Sequence, residues 1–129
     1  MAAAKSIQLI LARQFASSIA TPILLVDPTG ALIYYNEGAE AILNQRFDET
    51  GEMPAAEWYS HIAAVDDDRN PIAPEQRPMN RVLAERVPIS QTMWSRGRDG
   101  EWRHLRITAF PIIGEKDTLF GAMSIFWEI

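Results

Sequence analysis

The chain has 129 residues, 47% of them hydrophobic and 22% charged, a balance that is typical of one globular domain and excludes a disordered segment. Its net charge of −5 argues against nucleic-acid binding, which draws most of its affinity from neutralising phosphates with basic side chains. Cysteine is absent, which excludes disulfides, thiolate metal sites and cysteine nucleophiles and makes the cytoplasm the expected compartment.

The first predicted element is an amphipathic helix at residues 5–19. Its large apolar side chains recur at spacings of three and four and therefore share one face; they are Ile7, Ile10, Leu11, Phe15 and Ile19. Thr21-Pro22 ends the helix, because the residue before a proline is pushed out of the helical region. We therefore divide the chain into an N-terminal helix, residues 1–20, and a domain at residues 21–129.

A β-hairpin is predicted at residues 22–36. Its first strand, Ile23 to Val26, is apolar, and Asp27-Pro28-Thr29-Gly30 has the residues that a type I turn prefers. Asn36 follows the second strand and is a good N-cap for a short helix at residues 37–43.

Two more short helices are predicted before the strands resume. Pro54 suits the first turn of a helix that runs to about residue 62. A polar loop follows at residues 66–74. The next helix covers residues 75–86 and is stopped by Pro88.

The remainder is predicted to form three strands, at residues 89–96, 101–112 and 118–128. The longest apolar run, residues 119–127, fits one buried strand and is far shorter than the roughly 20 residues of a membrane span, so no membrane association is expected. Both alternating sets of side chains in the last strand are apolar. A second layer must therefore cover its outer face, and the N-terminal helix is the candidate.

This order of elements indicates an α+β fold. Strands lie at both ends of the chain with helices between them, which predicts a five-stranded antiparallel sheet. The short helices are expected on one face of the sheet and the N-terminal helix on the other.

The same order carries short motifs that resemble the PAS family of sensory domains. The first half has Asp27-x-x-Gly30, followed by Tyr35-Asn36 and Ala39. The second half resembles the subgroup with a proline-marked central helix and an aspartate–glycine turn before the longest strand; the matching residues are Pro78, Arg81, Leu83, Glu85, Asp99-Gly100, Trp102 and Ala109-Phe110-Pro111. The resemblance covers residues 15–128.

The resemblance implies a sensory or regulatory module in signal transduction, which binds a small ligand or a protein partner and catalyses no reaction. The alternative is a ligand-free homodimerisation or docking module of a larger regulator, such as a histidine kinase, a cyclase or a transcription regulator. Many family members end in an aspartate-containing signal motif that leads to an output helix, whereas Trp127-Glu128-Ile129 stands at that place here. The sequence leaves open whether the chain is free-standing or part of a longer regulator.

Each cofactor of the family needs particular residues. Without cysteine, the flavin photochemistry of light-sensing members and a covalently held cinnamate are both excluded. Haem-binding members place a histidine on or near the central helix, and residues 75–86 contain none. We therefore expect no cofactor, while non-covalent haem and flavin stay open; Trp58 and Tyr34 are aromatics on which a flavin would stack. For His61 and His104 we expect ordinary surface or packing roles.

Other kinds of functional site are excluded because residues that they require are missing. Asp66-Asp67-Asp68-Arg69-Asn70 resembles the start of a calcium loop, but Pro71 stands where glycine is required and Arg77 where the bidentate glutamate is required. Hence no metal site is predicted. The chain also lacks the nucleophile elbow of hydrolases and the histidine pair of zinc proteases, and no enzymatic activity is expected.

A small-molecule pocket is predicted between the sheet and the short helices. Its candidate lining residues are all apolar; they are Ile42, Trp58, Met79, Leu83, Leu105, Ile107 and Met123. The alternative for all seven is ordinary core packing, since these positions must be apolar in either case.

A homodimer is predicted through the N-terminal helix and the outer face of the sheet. The candidate residues are Ile7, Ile10, Leu11, Phe15 and Ile19 on the helix, with Phe110, Phe120 and Phe126 on the sheet. An exposed apolar patch of several hundred square ångströms is a sufficient reason for association, and the simplest symmetry is two-fold. The competing arrangement is a monomer whose helix folds back and covers the sheet completely.

Overall fold

The computed structural model describes residues 6–129. Its helices are α1 (Ile7–Ser17), α2 (Glu37–Leu43), α3 (Phe47–Thr50), α4 (Ala55–Ser60) and α5 (Pro78–Glu85). Its strands are β1 (Ile23–Val26), β2 (Leu32–Tyr35), β3 (Ala63–Val65), β4 (Ile89–Arg96), β5 (Trp102–Ile113) and β6 (Leu119–Glu128). The α+β fold predicted from the sequence is confirmed.

Six strands form the sheet within these residues, instead of the predicted five. Their order is β2-β1-β6-β5-β4-β3, and neighbouring strands are antiparallel. The additional strand, β3, lies at the edge, where Ala64 pairs with Ser95 of β4. Three residues, two of them alanine, carry no alternating pattern, so this strand forms through its pairing with β4 and not through local propensity.

The sheet separates two apolar clusters. The inner cluster lies between the sheet and the short helices and includes Trp58, Met79 and Leu105. The outer cluster lies beneath α1 and includes Leu9, Ala16 and Met123. The helical layers therefore cover both faces of the sheet, as the two apolar faces of β6 require.

Two residues of β6, Met123 and Phe126, face the opposite sides of the sheet from those predicted. In the sheet register, Phe126 pairs with Ile107 and Met123 pairs with Phe110. Directly opposite residues on antiparallel strands point to the same side, so Phe126 joins the inner cluster and Met123 joins the outer cluster. Both alternating sets in β6 are apolar, and hence the strand alone does not indicate which set faces the short helices.

A bulge at Gly121 changes the alternation within β6. Phe120 packs against the outer cluster, whereas Ala122, two residues later, belongs to the inner one. Gly121 has φ +152°, and a Cβ atom there would lie 2.2 Å from the carbonyl oxygen of Val26. Only glycine fits this conformation and this close approach between strands.

Candidate functional site

A cavity of about 60 Å³ lies between the sheet and the helices α4 and α5. Four of the seven predicted pocket residues line it: Trp58, Met79, Leu105 and Ile107. The remaining wall includes Leu24, Met93 and Phe126. The cavity wall is therefore almost entirely apolar and is built by both the sheet and the helical layer.

Three predicted pocket residues lie elsewhere. Ile42 and Leu83 are partly buried against the inner cluster but do not line the cavity. Met123 belongs to the outer cluster, on the opposite side of the sheet. Phe126 was assigned to the outer face and instead lines the cavity, because the register with β5 directs it inwards. The pairing of Phe126 with Ile107 corrects the predicted sides of both Phe126 and Met123, because directly opposite residues of antiparallel strands face the same side.

The aspartate–glycine turn of the first hairpin holds Trp58 in the cavity wall. Asp27 Oδ1 accepts hydrogen bonds from the backbone N–H groups of Thr29 at 2.8 Å and Ala31 at 3.1 Å, which fixes the turn. The carbonyl of Gly30, inside this turn, then accepts a 2.9 Å bond from Trp58 Nε1. The indole is thus both buried and hydrogen-bonded, as a buried tryptophan requires.

One end of the cavity is polar, a feature that the sequence analysis missed. Arg77 and Tyr59 line it, and the guanidinium carbon of Arg77 lies 5.0 Å from the centre of the Tyr59 ring. Within residues 6–129, the buried Arg77 Nε and Tyr59 Oη have no partner with hydrogen-bond geometry. The sequence feature that marks Arg77 is its position directly before Pro78, at the start of the central helix.

Burial changes the protonation equilibria of both groups. It raises the pKa of Tyr59 to about 12, against smaller opposing effects of Arg77 and Asn80. Burial also lowers the pKa of Arg77, while the neighbouring Tyr59 acts in the opposite direction. An arginine nevertheless stays protonated at neutral pH, so the residues of the cavity wall include a cation and a neutral phenol.

Asn36 connects α1 with the domain. Its Oδ1 accepts bonds from the backbone N–H groups of Ala39 at 3.1 Å and Ile23 at 2.9 Å, which confirms the predicted helix cap. Its Nδ2 donates to the carbonyls of Ala16, Ile19 and Thr21 at 2.9–3.0 Å. One buried amide therefore joins the end of α1 to β1 and α2.

The helix α1 covers the sheet with a different face from the predicted one. Leu9 and Ala16 are buried against the outer cluster. Four of the five predicted interface residues on the helix point away from the sheet; their exposed fractions are 68% for Ile7, 45% for Ile10, 59% for Leu11 and 54% for Phe15. Ile19, Phe110 and Phe120 are partly buried in the outer cluster. The face of α1 that packs on the sheet combines one large side chain, Leu9, with the small side chains of Ala12 and Ala16.

His104 and His61 lie outside the cavity wall. His104 stacks on Trp94 with the ring centres 4.5 Å apart, and its Nε2 lies 3.0 Å from Asp67 Oδ1. Across residues 6–129 there is no cluster of three or more side chains able to hold a metal ion. In the same part of the chain, none of the helices has the length and apolar character that a bilayer crossing requires.

Solved structures with a similar fold cover nearly the whole chain. The PAS domain of a Colwellia psychrerythraea protein is 16% identical, with a TM-score of 0.64 over 93% of this chain and 97% of that one. The PAS domain of BvgS from Bordetella pertussis is 19% identical, with a TM-score of 0.69 over 96% and 88%. The PAS domain of nitrogen regulation protein NR(II) from Vibrio parahaemolyticus is 18% identical, with a TM-score of 0.63 over 92% and 98%.

Sequence comparison gives the family directly. No curated protein sequence matches the chain, but a family model described as the PAS fold matches residues 16–129. This range includes the hairpin, the short helices that enclose the cavity and the last three strands. The chain therefore belongs to the PAS fold family.

Proposed function

We propose that this PAS domain is a sensory module that binds a small ligand in the cavity between the sheet and helices α4 and α5, and that it catalyses no reaction itself. PAS domains are generally sensory modules. The observation that carries the proposal is the cavity of about 60 Å³, since protein cores are otherwise packed with few voids larger than a water molecule.

The walls of the cavity suggest how an occupant acts on the rest of the domain. Met79 lies on α5, while Leu105 and Phe126 lie on the sheet. A ligand between them changes the packing of α5 on the strands. Leu24 of β1 also lines the cavity, and the neighbouring Ile23 donates its backbone N–H to Asn36. Asn36 in turn holds the end of α1, so α1 is the proposed output element.

The methionines provide a direct test of this proposal. Met79 and Met93 line the cavity, whereas Met123 lies on the other side of the sheet. With ¹³C-labelled methionine methyl groups, addition of a library of small apolar and amphipathic compounds is expected to shift the Met79 and Met93 signals and leave Met123 unchanged. If no compound shifts Met79 or Met93, or if all methionine signals shift together, the cavity is not the binding site.

A second candidate function is a homodimerisation or docking module, of which a second copy of the chain is the proposed partner. The exposed apolar side chains of Ile7, Leu11 and Phe15 on α1 favour it, because such a stripe on a helix packs well against its symmetry mate. Both functions are compatible, since a ligand that alters α1 would alter the dimer. We further propose that the N-terminal segment, residues 1–20, acts through α1 as the coupling element of the domain at residues 21–129, in a cytoplasmic regulator; residues 1–5 of this segment lie outside the described part of the chain.

A further inference from the structure

Arg77 is a half-buried cation that has no anionic partner among residues 6–129. Within residues 6–129 its side chain forms no ion pair and no hydrogen bond, and its Nε is shielded from solvent. Its contact with the Tyr59 ring, at 5.0 Å, is a cation–π interaction, which does not satisfy the guanidinium N–H groups. Buried polar groups in proteins are normally hydrogen-bonded, so the unpaired Nε–H of this charged side chain requires an explanation.

The backbone holds Arg77 firmly at this position. Its N–H donates to the carbonyl of Pro74 at 3.1 Å, and its carbonyl accepts from the N–H of Arg81 at 3.0 Å. Its extended backbone (φ −70°, ψ 145°) is the conformation that the following Pro78 imposes. The guanidinium is therefore attached to a rigid point of the cavity wall.

Tyr59 presents a second unsatisfied donor at the same end. Its Oη is buried, and Asn80 approaches it without hydrogen-bond geometry. The nearby Asn80 directs its Nδ2 elsewhere, in a 2.7 Å hydrogen bond to the carbonyl of Pro74. Because burial keeps the phenol protonated, Tyr59 offers an O–H beside the guanidinium of Arg77.

We propose that the ligand of this cavity is a small carboxylic acid, whose carboxylate accepts hydrogen bonds from Arg77 and Tyr59 and whose apolar body lies against Met79, Leu105 and Phe126. This inference rests on the proposed function, because it assigns a ligand class to the same cavity. An ionised carboxylate is an acceptor only, and a guanidinium matches its geometry. One arginine balances one negative charge, whereas a dianion such as phosphate retains an uncompensated charge in this apolar wall.

The size of the cavity limits the apolar body to a few carbon atoms in the present packing. A volume of about 60 Å³ is the share of roughly two water molecules in the liquid. Met79 and Met93 in its wall are flexible and repack around a larger body more easily than branched side chains do. The ligand series should therefore extend from propionate through butyrate and hexanoate to benzoate.

The test compares each of these four acids with its own primary amide at neutral pH. Binding to the full chain is measured by calorimetry, and the site by the methyl signals of Met79 and Met93. At least one acid is expected to bind saturably and about tenfold or more tightly than its amide, which is the effect of losing a charged hydrogen-bonded pair. Arg77→Gln is expected to remove this preference, and Arg81→Gln, which alters an exposed ion pair with Glu85, is expected to keep it.

Tyr59→Phe serves as a second variant that removes only the hydroxyl. It is expected to weaken binding of the acid more than binding of the amide, because a hydrogen bond to an ionised carboxylate is stronger than one to a neutral amide oxygen. This comparison holds even if Arg77→Gln does not fold. Equal binding of acid and amide at the cavity overturns the carboxylate assignment while the proposed function stands. If other compounds bind in the cavity but none of the four acids does, the carboxylate assignment is likewise wrong and the proposed function stands. If neither the acids, the amides nor the wider library shift Met79 or Met93, the proposed function itself fails.

Discussion

The side-chain amide of Asn36 donates a 3.0 Å hydrogen bond to the main-chain carbonyl of Ala16, 20 residues earlier in the chain. The residue that caps α2 therefore also holds the last turn of α1. Asn36 is 1% exposed, so solvent does not replace these bonds when the side chain is removed. The family motif at this position thus connects the N-terminal helix with the sheet.

Removal of the Asn36 side chain is expected to lower the free energy of unfolding by more than the loss of an ordinary helix cap does. An ordinary N-cap replacement costs about 1 kcal/mol, but Asn36→Ala leaves several buried backbone groups without a partner, and we expect a loss of about 3 kcal/mol. Urea denaturation measures it. Asn36→Ser, which can still cap α2 but is too short to reach the carbonyl groups of α1, should recover only the cap contribution. Wild-type stability of the serine variant would contradict a role in holding α1.

Gly121 is expected to tolerate no side chain. A Cβ atom would lie 2.2 Å from the carbonyl oxygen of Val26, and relief of this clash requires β1 and β6 to separate. Gly121→Ala should lower the free energy of unfolding by about 3 kcal/mol. Gly100→Ala is the matched control, since its φ is also positive but nothing lies within 4 Å; it should cost about 1 kcal/mol. Equal losses in the two variants would show that backbone strain alone, and not the close approach of β1, determines the effect.

Acid is expected to weaken the turn between β4 and β5. Asp99 Oδ2 accepts a 2.7 Å bond from Arg103 Nη2, which with the N–H of Glu101 lowers the pKa of Asp99 below its usual 3.8. A carboxyl group with a lowered pKa stabilises the fold above its unfolded pKa and loses this contribution as the pH falls through its folded pKa. Asp99→Asn should therefore lower the melting temperature at pH 7, and the difference from wild type should shrink as the pH falls well below 3.8. A difference that stays constant over this range would refute the assignment.

Local sequence patterns predicted the order of the elements other than α3 and β3, the first hairpin turn and the cap at Asn36, because turn and cap residues act within a few positions of the chain. They did not predict which side Phe126 and Met123 face. That choice depends on the register with β5 and on the bulge at Gly121, which are tertiary features. They also failed to show the polar end of the cavity, because Arg77 and Tyr59 lie 18 positions apart and meet only after folding.

The exposed face of α1 predicts self-association. Leu11 is 59% exposed, so Leu11→Glu should fold normally and yet introduce a charge in the centre of the proposed interface. Sedimentation velocity at tens of micromolar is expected to show a dimer for the wild type and a monomer for this variant. Gln76→Glu adds the same charge at an exposed position on the other side of the sheet and should remain dimeric. A wild-type chain that is monomeric at high micromolar concentration would rule out the dimer.

Mass spectrometry of the natively purified protein tests most directly whether the cavity binds a small molecule. We expect the 14.5 kDa chain to carry one small organic molecule, with no visible absorption band from haem or flavin. Met79→Trp fills the cavity from α5 and should retain the fold at a cost of about 1–3 kcal/mol. A bound mass is expected on the wild type and not on Met79→Trp. A wild type with only the bare chain mass, or retention of the same molecule by both proteins, would contradict binding in the cavity.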